Sequence, residues 1–111
     1  MTAAQFRKLA LAIAGAVESS HMNHPDFRFA GRIFATLGYP DDDWGMIKLT
    51  PGQQRSFMEA APDVFSPCKG AWGARGATSV LLASAGSKVV QAALEAACEN
   101  LGATKRKSRR P

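Results

Sequence analysis

The chain has 111 residues, 46% hydrophobic and 21% charged, with a formal net charge of +5. That length and apolar content predict one globular domain able to bury roughly two-thirds of its unfolded surface, and exclude a disordered or collagen-like chain. Two cysteines, Cys68 and Cys98, are too few for a disulfide scaffold and lack metal-ligand spacing, so they are expected as buried free thiols in a reducing cytosol. The charge is unevenly placed. Five of the fourteen Lys/Arg are Lys105, Arg106, Lys107, Arg109 and Arg110, and the other nine balance the nine Asp/Glu. A neutral body, residues 1–103, is therefore expected to carry a basic, disordered tail, residues 104–111.

Thr2 and Gln5 form a capping box that opens a first helix, expected over Ala3–Gly15, in an amphipathic pattern with Phe6, Leu9, Ala10, Ile13 and Val17 on one face. Arg7 and Lys8 before LALAIAGAV also imitate a short secretory leader, but the apolar run is short and its helical period fits an amphipathic helix. An extended piece over Val17–Met22 follows, then a turn at Asn23-His24-Pro25-Asp26. Phe27–Phe29 reads as a strand, with Ala30-Gly31 as a two-residue connection into Arg32–Tyr39. That register sets Phe29 opposite Arg32 and Phe27 opposite Phe34 on one face, leaving Ile33, Ala35 and Leu37 for helices to cover.

Pro40-Asp41-Asp42-Asp43 is an acidic turn, and Trp44–Thr50 the next strand. Thr50, Pro51 and Gln53 form a second capping box for a helix running to Ala61, with Phe57, Met58 and Ala61 toward the core. Asp63–Gly76 is expected to be irregular, Thr78–Ala83 a buried strand, and Ser87–Leu101 a helix ended by Gly102. The order of elements predicts an α+β fold, an antiparallel sheet with helices mostly on one side. No segment is long enough to span a membrane.

RKLALAIAGAVES, HPDFRFAGRIFATLGYPDDDWGMIKLTPGQQ and GATSVLLAS, in that order, resemble the MmcQ/YjbR family of small bacterial proteins. The resemblance covers roughly Phe6 to Leu101 and omits the tail. It implies an α/β sandwich with a double-wing arrangement, a cytoplasmic protein, and DNA as partner.

No residue sits in a recognisable catalytic constellation, so no catalytic residue, enzyme activity or cofactor is expected. His21, His24 and Asp26 form an H-x-x-H-x-D cluster, but an extended segment separates such side chains, and turn histidines are the preferred reading over a metal site. Three consecutive aspartates at 41–43 cannot all face one ion. In Gly70–Gly76, glycines every third residue free backbone amides to approach an anion, and Trp72 and Arg75 have the chemistry to stack on a base; the competing reading has Trp72 capping the core. The tail reads equally as a nucleic-acid arm or a solubilising end. The leading expectation is weak, largely sequence-independent DNA binding. Its phosphate contacts would come from Arg28, Arg32, Lys48, Lys69, Arg75 and the tail residues Lys105, Arg106, Lys107, Arg109 and Arg110, with Trp72 stacking on a base. The alternative is a non-enzymatic module for a protein or small ligand, whose signature is an apolar groove between the sheet and the loop around Trp72, with Arg28 and Arg32 paired to acidic neighbours.

Overall fold

The chain begins with the expected cap. In the computed structural model, which describes residues 1–109 and their side chains as far as residue 102, the Thr2 hydroxyl accepts from the Gln5 amide at 3.1 Å, and Gln5 Oε1 accepts from the Thr2 amide at 2.8 Å. Helix α1 spans Ala3–Leu11 and buries Phe6 and Ala10. It stops four residues earlier than expected, with Ala12 as C-cap, and Gly15 takes φ +91 in the connection to the next element.

Strands β1 (Val17–His21) and β2 (His24–Phe29) form a hairpin whose turn is Met22-Asn23 rather than residues 23–26. Both turn residues have positive φ, 50° and 67°, the type I′ geometry that matches strand twist. The residue before a proline is pushed toward extended backbone, which is what His24 needs to start a strand. Strand β3 (Arg32–Leu37) follows through Ala30-Gly31, also at positive φ, with Phe29 opposite Arg32 as expected. A bulge then intervenes: Arg28 pairs with Ile33 but Phe27 with Ala35, so Phe27 does not face Phe34. The extra residue allows Phe34 and Ala35 both to be buried in the core.

Strand β4 (Trp44–Lys48) leads into helix α2 (Pro51–Ala60), where Thr50 and Gln53 complete both bonds of the second capping box. Residues 63–76, expected to be irregular, hold a three-residue edge strand, β5 (Phe65–Pro67), and a short helix, α3 (Gly70–Ala74). Strand β6 (Ala77–Leu81) ends in a 3-10 turn, and helix α4 runs Ser87–Arg109 straight through Gly102. A helix-interior glycine costs only about 1 kcal/mol relative to alanine, and that alone does not end a helix.

The six strands form one antiparallel sheet in the order β1-β2-β3-β4-β6-β5. Helices α1, α2 and α4 cover one face: α4 packs on α1, β3 and β4, and α2 on β5 and β6. Phe27, Ala35, Leu37, Ile47, Val80 and Phe65 meet Phe6, Ala10, Val90 and Leu94 in that layer. The result is the expected α+β class, with six strands where fewer were predicted. Among the described residues, no helical layer covers the sheet's other face.

Candidate functional site

Antiparallel register places directly opposed residues on the same face. Following the pairs across the sheet gives one row, Ser19–Asp26–Thr36–Met46–Ser79–Ser66, lying opposite the helices. It is polar except for Met46. Small hydroxyl side chains leave room above them, and the rims close that room. Tyr39 and Pro40 come from the β3–β4 turn, His21 and Met22 from the first hairpin, and Ala71 and Trp72 from α3. Together with His24, Trp44, Pro67, Cys68 and Lys69 they enclose a groove of about 840 Å³ over the open face. Both tryptophans of the chain line it.

The placement of α3 depends on glycine and on one buried amide. A Cβ at Gly73 would lie 1.8 Å from the Cys68 carbonyl oxygen, and one at Gly76 would lie 1.9 Å from that of Leu49. These two glycines permit close backbone packing, a role the sequence reading did not give them. Gln54, on α2, is buried and donates from Nε2 to Gly73 O at 3.1 Å, Ala77 O at 3.0 Å and Thr78 Oγ1 at 3.2 Å. With α3 so anchored, Trp72 stands 51% exposed at the groove. It does not cap the core.

At the β1–β2 side, Asp26 is fully buried. Arg28 donates from Nε to Asp26 Oδ1 at 2.8 Å and from a terminal nitrogen to Oδ2 at 3.2 Å, and His21 Nδ1 lies 2.7 Å from Oδ2. The Arg28 guanidinium holds the Asp26 carboxyl below its ordinary pKa, outweighing the opposing effect of burial, with His21 adding to the lowering. His24 stacks edge-on against Tyr39, with ring centroids 6.1 Å apart. At the α3 side, Lys48 Nζ lies 5.8 Å from the Trp72 ring centroid. Lys48, Leu49, Trp72, Arg75 and Ala77 line a second, smaller cavity of about 210 Å³. Trp72 borders both spaces.

The residues expected to bind nucleic acid are thus divided. Lys48, Lys69, Trp72 and Arg75 converge at one corner. Arg28 is committed to Asp26, and exposed Arg32 sits at the tip of the β2–β3 hairpin. The side chains of Lys105, Arg106, Lys107 and Arg109, and all of Arg110, lie outside the described residues. At the opposite end of β4 from Lys48, the exposed Asp41–Asp43 precede Trp44. Cys98 is buried in the core, and that burial raises its thiol to about 11. Cys68, expected to be buried, is only half-buried on the groove, with Sγ 3.3 Å from Ser79 Oγ. Among the described residues no group of three or more His, Cys, Asp or Glu is placed to hold a metal, and no helix is long and apolar enough to cross a membrane.

Sequence reasoning placed Trp72 and Lys69 near a site but missed its floor, Thr36, Met46 and Ser79. The alternation Trp44-x-Met46-x-Lys48 was the available signal, since it puts all three on one side of a strand.

No protein-family model and no curated protein matches the chain. Among solved structures, it is similar to the crystal structure of the Deinococcus radiodurans protein DR2400, which carries the DUF419 domain, the MmcQ/YjbR type. The TM-score is 0.70 at 14% identity, over 86% of this chain and 75% of that one. At that identity the likeness establishes the fold.

Proposed function

We propose that this is a non-enzymatic domain of the MmcQ/YjbR type whose open sheet face binds a planar, largely apolar small molecule. The carrying observation is the groove of about 840 Å³ between the sheet and α3, a size typical of small-molecule sites. Its chemistry agrees: a thioether and hydroxyls on the floor, and Trp44, Trp72 and Tyr39 at the margins to stack on a ring. The pairing of Arg28 with Asp26 also favours it, since that removes one cation from any phosphate-binding strip. Both tryptophans line the groove, so their fluorescence reports occupancy directly. Titration with 2-naphthol is expected to give saturable, one-to-one quenching. Trp72→Ala should weaken that binding severalfold and leave the melting temperature unchanged, because the ring is half exposed. Non-saturable quenching, or equal affinity in the variant, would count against the reading.

Nucleic acid is the second reading, favoured by the convergence of Lys48, Lys69 and Arg75 on Trp72. Three phosphate contacts from that corner correspond to a log–log salt slope of about −2.7 on duplex DNA. Removing Lys69 and Arg75 together should flatten the slope by about 2 units; a slope unchanged in the double variant would exclude this corner.

A further inference from the structure

We propose that His21 accepts a hydrogen bond from the groove's ligand, with Asp26 as the positioning residue that decides which ring nitrogen is offered. This rests on the groove reading above and adds to it the class of ligand: a planar ring bearing an O–H or N–H donor at its His21 end.

The Asp26 side chain is wholly buried, and both of its oxygens are engaged by Arg28 and His21. A carboxylate paired with a guanidinium in this way is ionised near neutrality and has no hydrogen to give. The hydrogen in the 2.7 Å contact with His21 therefore sits on Nδ1. A neutral imidazole with its hydrogen on Nδ1 presents Nε2 as a lone-pair acceptor.

Nothing among the described residues bonds that second nitrogen. The His21 side chain is 41% exposed and lines the groove. An acceptor held at the wall of an apolar cleft discriminates between ligands. One with a matching donor replaces the water it displaces, whereas one without leaves Nε2 unpaired. Arg28 takes no direct part; it keeps Asp26 charged and so keeps the tautomer.

Two probes of nearly equal shape isolate the effect: 2-naphthol, which donates, and 2-methoxynaphthalene, which only accepts. Wild type should bind the naphthol about five- to tenfold more tightly. His21→Phe, whose fold is checked by its melting temperature because the change removes one partner of buried Asp26, should abolish that preference while still binding the ether. Independently of any ligand, two-bond proton–nitrogen correlation at pH 8 should show His21 with hydrogen on Nδ1 and none on Nε2, the form that offers an acceptor. Asp26→Asn has an amide with which to donate to Nδ1, and should move the hydrogen to Nε2. Equal affinity of saturably bound probes in wild type would overturn the proposal and leave the groove reading intact. Hydrogen on Nε2 in wild type would also overturn it. Absence of saturable binding by either probe would defeat the groove reading and this inference together.

Discussion

At the scale of single residues, the site depends on side chains whose environments oppose their intrinsic preferences. Asp26 is a carboxylate with no solvent contact, kept charged by Arg28 at 2.8 Å. Its folded pKa lies below the unfolded value, so its contribution to stability is fully present above the ordinary aspartate pKa and is lost as the pH falls through the lower, folded one. Urea denaturation from pH 6 to pH 2 should therefore show stability dropping below about pH 4, with the drop smaller in Asp26→Asn. An equally steep drop in that variant would assign the acid sensitivity to other carboxylates. Gly76 is constrained differently: with φ +111 and the Leu49 carbonyl 1.9 Å from any Cβ, Gly76→Ala combines backbone strain with a clash that backbone must relieve. A loss of about 3 kcal/mol is expected, read from the urea midpoint; a loss below about 1 kcal/mol would mean that the β4–α2 junction moves freely.

Elements show where the sequence was legible and where it was not. Capping boxes at Thr2 and Thr50 were readable because their chemistry is local, three residues from end to end, and both form. Thr50→Ala should cost about 1 kcal/mol, a value that thermal or urea unfolding would resolve. Ala30-Gly31 was readable for the same reason, and the β2–β3 hairpin turns there. The bulge at Phe34 was not, since nothing local distinguishes one extra residue in FATL from regular alternation. The buried Phe34 and Ala35 show that packing from the helix layer decides it. Strand β5 and helix α3 were missed because three residues with a proline, and five with two glycines, carry no periodicity of their own. They are fixed from outside, β5 by its pairing with β6 and α3 by the bond from Gln54 to Gly73; the other two bonds of that amide tie it to Ala77 and Thr78 of β6. Gln54→Leu keeps much of the volume and leaves the carbonyls of Gly73 and Ala77 without that donor. It should lower stability by about 1–3 kcal/mol and also weaken groove binding, since Trp72 rides on α3. Lost stability with unchanged binding would separate α3 from the site.

The whole molecule is a two-layer arrangement in which helices occupy one side of a six-stranded sheet and a short helix at the edge shelters part of the other. The sequence indicated α+β but not which face stays open, because β3 carries buried residues on both sides and only the register across all strands separates them. The same register explains why cations near one another in space were scattered in sequence, and why Arg28, counted as a free cation from its type, serves Asp26 instead. The acidic turn at one end of β4 and Lys48 at the other interrupt any uniform cationic track along that strand, which supports the proposed small-molecule reading. The most direct measurement is amide chemical-shift mapping during titration with 2-naphthol. The account predicts saturable shifts at Thr36, Met46, Ser79 and Trp72, on the open face, with α1 and α4 unaffected. Shifts confined to the helical layer, or none that saturate, would contradict it.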